Sequence, residues 1–241
     1  MLSILKKEIN AFFNSLTGYI IVMLFLLGVG MFMWVFTPTI FDTKVADMSL
    51  LFDIAPYVYL FIIPAITMKM LAEEQKSGTL EWLLTKPLSE LQLLMGKYLA
   101  ALSLVVMALI PTIVFYVSIH LLGTPVGNID SSAVLGSYLG LFLLAMIFTA
   151  VGIFSSSVTE NQVVAFVLGI FLNLFLFSWM QYISDLFAKS EYSFMLRQLG
   201  LEYHYYAISM GVIDTRNVIF LLSVAAFFLL ATRLMLVKRK W

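Results

Sequence analysis

Apolar positions in this chain gather into six runs, at about residues 16–36, 51–71, 98–122, 134–154, 162–183 and 218–237. About twenty helical residues cross a hydrocarbon core of roughly 30 Å, so each run is long enough to span a bilayer. None shows the strict alternation of a barrel strand, and each is about twice the length such a strand needs. The pattern predicts an all-α integral membrane protein, a single transmembrane domain over residues 1–241. The first run is too long for a signal-peptide core and has no small-residue cleavage site, so it is expected to stay attached. Ahead of it, Leu2, Leu5, Ile9, Phe12 and Leu16 recur at three and four residues with Lys6, Lys7, Asn10 and Asn14 between them. That spacing predicts an N-terminal amphipathic helix in the headgroup layer, with a plain basic anchor as the alternative reading.

The long polar interruption between the second and third runs, Pro64 to Lys97, carries the densest punctuation. Gly78 is a natural stop for the helix arriving from the membrane, and Pro87 ends whatever begins at Thr79. Between them Leu80, Leu83 and Leu84 share one helical face while Glu81 and Thr85 lie off it, which predicts a two-turn amphipathic stub along the membrane surface. Ser89 and Gln92 have the spacing of a capping box and start the next helix. Thr159 and Gln162 repeat that spacing in the tight turn between the fourth and fifth runs. Glu160, the one charge there, is read either as an acid favouring a helix N-terminus or as a partner contact. Pro56 and Pro64 in the second run predict either a bend suited to lining a gate or a helix start followed by a harmless kink. The segment from Ser184 to Asn217 is rich in Phe and Tyr, and is expected to form short helices on or in the outer leaflet.

Composition explains why lipid must be the solvent: 62% of residues are hydrophobic and only 12% charged, with a mean hydropathy of +1.00. The formal net charge is zero, so nothing points to nucleic acid. Its distribution is informative, however. With six spans and the N-terminus inside, ten Lys and Arg face the cytoplasm and four face out, so both termini are expected in the cytoplasm. Absence of Cys excludes disulfides and thiolate metal sites. His120 has no second ligand at three or four residues, so no metal site is expected. No ionisable group lies near the centre of a run, and neither a nucleophile–base pair nor a phosphate-binding loop is present, so the chain is not expected to be an enzyme. A solvated helix end is the plain reading of Glu73, Glu74 and Lys76.

The residues Glu73-Glu74, Ser77-Gly78-Thr79-Leu80-Glu81, Leu83-Leu84-Thr85, Pro87-Leu88-Ser89 and Gly96-Lys97 resemble the signature loop of ABC-2 type exporter permeases. The segments Ser155 to Ala165 and His204 to Asp214 are similar to those of the gliding-motility-associated permease branch. The resemblance implies the six-helix ABC-2 exporter fold in a bacterial inner membrane. It implies a cytoplasmic coupling helix from Thr79 to Lys86 that docks on a separate ABC ATPase subunit, which carries the ATP and magnesium. A second permease half, identical or homologous, completes the pathway. Coupling residues are then Glu73, Glu74, Gly78, Thr79, Leu80, Glu81, Trp82, Leu83, Leu84, Pro87 and Glu160, and candidate pathway residues are Pro64, Thr67, Thr112, Asn173 and Ser178. The alternative function is a non-transporting scaffold that anchors a motility or secretion assembly.

Overall fold

The computed structural model describes residues 1–36, 41, 45–84, 89–187 and 192–238. No strand occurs among them, and six helices are long and apolar enough to cross a membrane. Helix α1 (Leu2–Phe13) turns at once into α2 (Leu16–Trp34), the first span. The second span is α3 (Ser49–Lys76), followed by the stub α4 (Thr79–Leu84). Helices α5 (Glu90–Leu109) and α6 (Ile113–Leu122), joined by a 3-10 turn at Ile110–Thr112, make the third span. Helix α7 (Ser131–Val158) is the fourth. The fifth comprises α8 (Gln162–Leu174), a wider π turn (Phe175–Trp179) and α9 (Met180–Leu186). Two short helices, α10 (Tyr192–Gln198) and α11 (Leu201–Ser209), precede the last span, α12 (Thr215–Lys238).

Helix α7 is the most enclosed of the spans and α3 the next, and their mutual contact is the most extensive in the protein. Small residues permit it, as expected where close backbone approach rather than water expulsion drives association. A Cβ on Gly152 of α7 would overlap the Thr67 hydroxyl of α3, and one on Gly169 of α8 would press on Pro64 at 3.1 Å. Both Pro56 and Pro64 lie inside α3, which stays helical through each, so neither marks the helix start. A proline at 56 cannot donate to the carbonyl four residues back. That carbonyl, on Phe52, instead accepts a 2.6 Å hydrogen bond from the buried Tyr205 hydroxyl. Tyr205 belongs to α11, which is thereby tied into the end of the bundle. Leu201, His204 and Ile208 are buried beside it, with Ile208 against Gly136 and both Tyr205 and Ile208 against Gly140 of α7.

Local signals were met unevenly. Gly78 sits at φ +69° just past the end of α3, the left-handed conformation that favours glycine. Ser89 and Gln92 form the expected reciprocal capping box. The α8 cap differs: Asn161 is the capping residue, its Oδ1 accepting from the Val163 amide at 2.9 Å. Thr159 instead accepts from the Asn161 amide at 3.2 Å, because the chain between α7 and α8 is extended and displaces the helix start by two residues. In α1 the buried residues are Ile4 and Phe12, whereas Leu2 and, at the start of α2, Leu16 are 74% and 76% exposed. The inward face thus runs Ile4, Glu8, Phe12 rather than along the most apolar stripe, and the charged group at its centre is the reason.

Candidate functional site

The end of the bundle that carries α4 gathers most of the residues singled out from the sequence. The turn before α4 is tied by hydroxyls: Thr79 and Ser77 lie 2.8 Å apart, and with Thr79 donating to Ser77, the Ser77 hydroxyl donates to the Glu74 carbonyl at 3.4 Å. With the stub so oriented, Leu80 is buried at 2% exposure and Leu83 packs against the core. Glu81 and Trp82 face outward, Trp82 at 63% exposure. Leu84 ends the helix, its side chain outside the described residues, as are Thr85, Lys86 and Pro87. Between α1, α3 and α4 lies a groove of about 380 Å³, bordered by Phe12, Lys69, Glu73, Glu74, Trp82 and Leu83.

Glu73 and Glu74 part company here. Glu73 is exposed on the rim, while Glu74 turns inward to a buried ion cluster. At its centre is Lys97, only 1% exposed. Its Nζ lies 2.8 Å from Glu8 Oε1 on α1 and 2.9 Å from Glu74 Oε1 on α3, and it donates to the Met70 carbonyl at 2.7 Å. Lys7 reaches Glu74 at 3.3 Å from the solvent side. Two cations and two carboxylates so arranged neutralise one another, which is the condition for keeping charge out of water. The pairing of Glu8 with Lys97 was not anticipated. Its one sequence signal is an acid placed four residues from both Ile4 and Phe12, on a helix whose other charges are basic.

Helix α7 clasps α3 from the other side. The buried Ser156 hydroxyl donates to the Met68 carbonyl at 2.8 Å and accepts from the Leu71 and Ala72 amides at 3.0 Å each. It inserts where the helix would ordinarily bond to itself. Gln75 then donates to the Ser157 carbonyl at 3.0 Å. Glu160, in the α7–α8 turn, is exposed at this same end.

The five residues suggested for a pathway lie inside the bundle: Thr67, Thr112 and Asn173 are fully buried, Ser178 is 3% exposed, and Pro64 faces Gly169. Thr67 donates to the Ile63 carbonyl, and Thr112 to the Leu109 carbonyl while also meeting the Tyr138 hydroxyl. The Asn173 amide has no hydrogen-bond partner among the described residues. At the opposite end, Asp130 caps α7, and the Ala133 amide and Ser132 hydroxyl hold its carboxyl below the usual carboxylate range. Glu202 on α11 is pushed up by burial, with Arg197 pulling it back and Asp185 adding to the rise.

Residues 2–223, nearly the whole chain, match the family model described as ABC-2 family transporter protein. Among curated proteins, none matches this sequence.

Proposed function

The chain belongs to the ABC-2 family of transporter proteins and is a transmembrane permease subunit, and we propose that it is driven through α4 by a cytoplasmic ABC ATPase. In this reading the α4 end lies in the cytoplasm of a bacterium, both termini with it, and the bundle sits in the inner membrane. The distribution of basic residues supports that orientation. ATP and magnesium are bound and consumed by the partner subunit, and a second permease half faces this one across the pathway. The observation that carries the reading is the two-sidedness of α4: Leu80 anchors it in the core while Glu81 and Trp82 are presented outward beside a groove. A short helix fixed at its back and exposed at its front is suited to receiving a push. Glu73 and Glu160 flank it on the same surface.

The similarity of Ser155 to Ala165 and of His204 to Asp214 to the gliding-motility-associated branch supports a finer assignment, an exporter serving gliding motility or secretion. The central test is co-purification of an ATP-binding subunit with the wild-type chain and with the Glu81→Lys and Trp82→Ala variants. Membrane insertion should be unchanged and the ATP-binding subunit lost. Retention of that subunit by both variants would refute docking at α4. ATPase activity stimulated by a transported substrate in the reconstituted complex separates an exporter from a non-transporting scaffold.

A further inference from the structure

The interface helix α1 is fixed to the protein by charge at one point, and that point adjoins the coupling stub. We propose that Lys97 is a positioning residue that makes α1 and the cytoplasmic end of α3 move as one body, so that a push on α4 is passed to α1 and on into α2. The proposal rests on the coupling role given to α4 above.

Three elements meet at the Lys97 ammonium and no two of them are sequence neighbours: α1 through Glu8, α3 through Glu74 and the Met70 carbonyl, and α5 through Lys97 itself. Glu74 lies three residues before Ser77, whose hydroxyl bonds back to the Glu74 carbonyl, so the stub and the ion cluster share one turn of chain. Lys7 adds a second strut from α1 to Glu74. One residue before the lysine, Gly96 admits Ile4 so closely that a Cβ there would stand 3.1 Å from the Ile4 side chain. On the far side of α1 the chain reaches α2 through Asn14 and Ser15, where a Cβ on Gly18 would strike the Phe12 carbonyl. The elbow is thus closely packed, and a displacement of α1 reaches the first span with little slack. That span is among the less enclosed, with Tyr19, Met23 and Leu27 all more than half exposed.

Removing one member of a buried cluster strands the charges left behind, which by itself can unfold a protein. The decisive variant therefore leaves no charge enclosed: Glu8→Gln, Glu74→Gln and Lys97→Met together, with only the solvent-side Lys7 still charged, compared with Lys97→Met alone. Because the chain has no cysteine, nitroxide labels can be placed at Asn10→Cys on α1 and Val158→Cys at the end of α7, and their separation read by pulsed spin-resonance in nanodiscs. The wild-type background should give one narrow distance that shifts when the complex with its ATP-binding subunit takes up magnesium and a non-hydrolysable ATP analogue. The triple variant should still co-purify with that subunit, because Glu74 is turned inward to Lys97 and the outward-facing Glu73, Glu81 and Trp82 are all kept, yet give a broadened distance with the nucleotide-dependent shift lost. An unchanged distance and shift in a stably folded triple variant would overturn the proposal, since packing of Ile4 and Phe12 would then suffice. If α1 loosens but no ATP-binding subunit ever binds the wild-type chain, the clamp stands and the relay falls, together with the function proposed for α4.

Discussion

Pro56 and Tyr205 should behave as a coupled pair although they are far apart in sequence. Proline at 56 leaves the Phe52 carbonyl without its helical donor, and the Tyr205 hydroxyl supplies the missing bond at 2.6 Å in a fully buried setting. Tyr205→Phe keeps the ring and its packing on Phe177 while stranding that carbonyl. The cost of a buried acceptor left unpaired is about 1–3 kcal/mol, and interhelical bonds in membrane proteins average nearer ~0.6 kcal/mol, so a loss of about 1–2 kcal/mol is expected. Pro56→Ala restores an amide at the ordinary helical position, and in that background Tyr205→Phe should cost less than ~0.5 kcal/mol. The four proteins of this cycle can be compared by unfolding in mixed micelles with increasing SDS. Independent sites add to within about 0.3–0.5 kcal/mol; additivity at that level would show that Tyr205 does not serve the carbonyl freed by Pro56.

Two further outcomes concern the ends of the bundle. Asn161→Ala should destabilise the α7–α8 turn by about 1 kcal/mol and Thr159→Ala by less, measured by the same unfolding titration; the reverse order would return the cap to Thr159. Glu202 holds its proton more tightly folded than unfolded, because burial raises its carboxyl. Its contribution to stability is therefore complete below the usual carboxylate range and is lost as pH rises through the raised value. Thermal midpoints of the wild type should climb as pH falls through that window, and Glu202→Gln should flatten the climb.

The six spans were legible because bilayer thickness sets a length that apolar runs either reach or miss. The stub was legible for a different reason: Gly78 requires a left-handed turn, and the leucines beyond it have a helical spacing. Spacing is degenerate where two candidate caps stand close together, so Thr159 and Asn161 could be ordered only once the extended turn between α7 and α8 was known. The protein-facing side of α1 was not legible, for a physical reason. Periodicity marks the leucine stripe, whose Leu2 and Leu16 are exposed, but carries no sign that the carboxylate of Glu8 faces a buried ammonium. Long-range polar pairings of this kind, Glu8 with Lys97 and Tyr205 with the Phe52 carbonyl, leave no periodic trace because their partners lie in different helices.

These pairings have a common target. Helix α3 receives the Tyr205 hydroxyl at Phe52, the Ser156 hydroxyl at Met68 and the Lys97 ammonium at Met70, and it returns the Gln75 amide to Ser157. The contacts run from near its first turn to its last, and Gly152 and Gly169 hold its middle against α7 and α8. A helix of 28 residues extends about 42 Å at 1.5 Å per residue, enough to join the two faces of a bilayer. Because only Ser77 and Gly78 separate α3 from α4, the axial force on the stub that the proposed coupling requires would meet a rod bonded to its neighbours at both ends. A flexible second span would dissipate such a force, so a proline inside it calls for compensation. The carbonyl freed by Pro56 becomes an attachment point for α11, so the substitution that weakens α3 as an isolated helix binds it more firmly into the bundle.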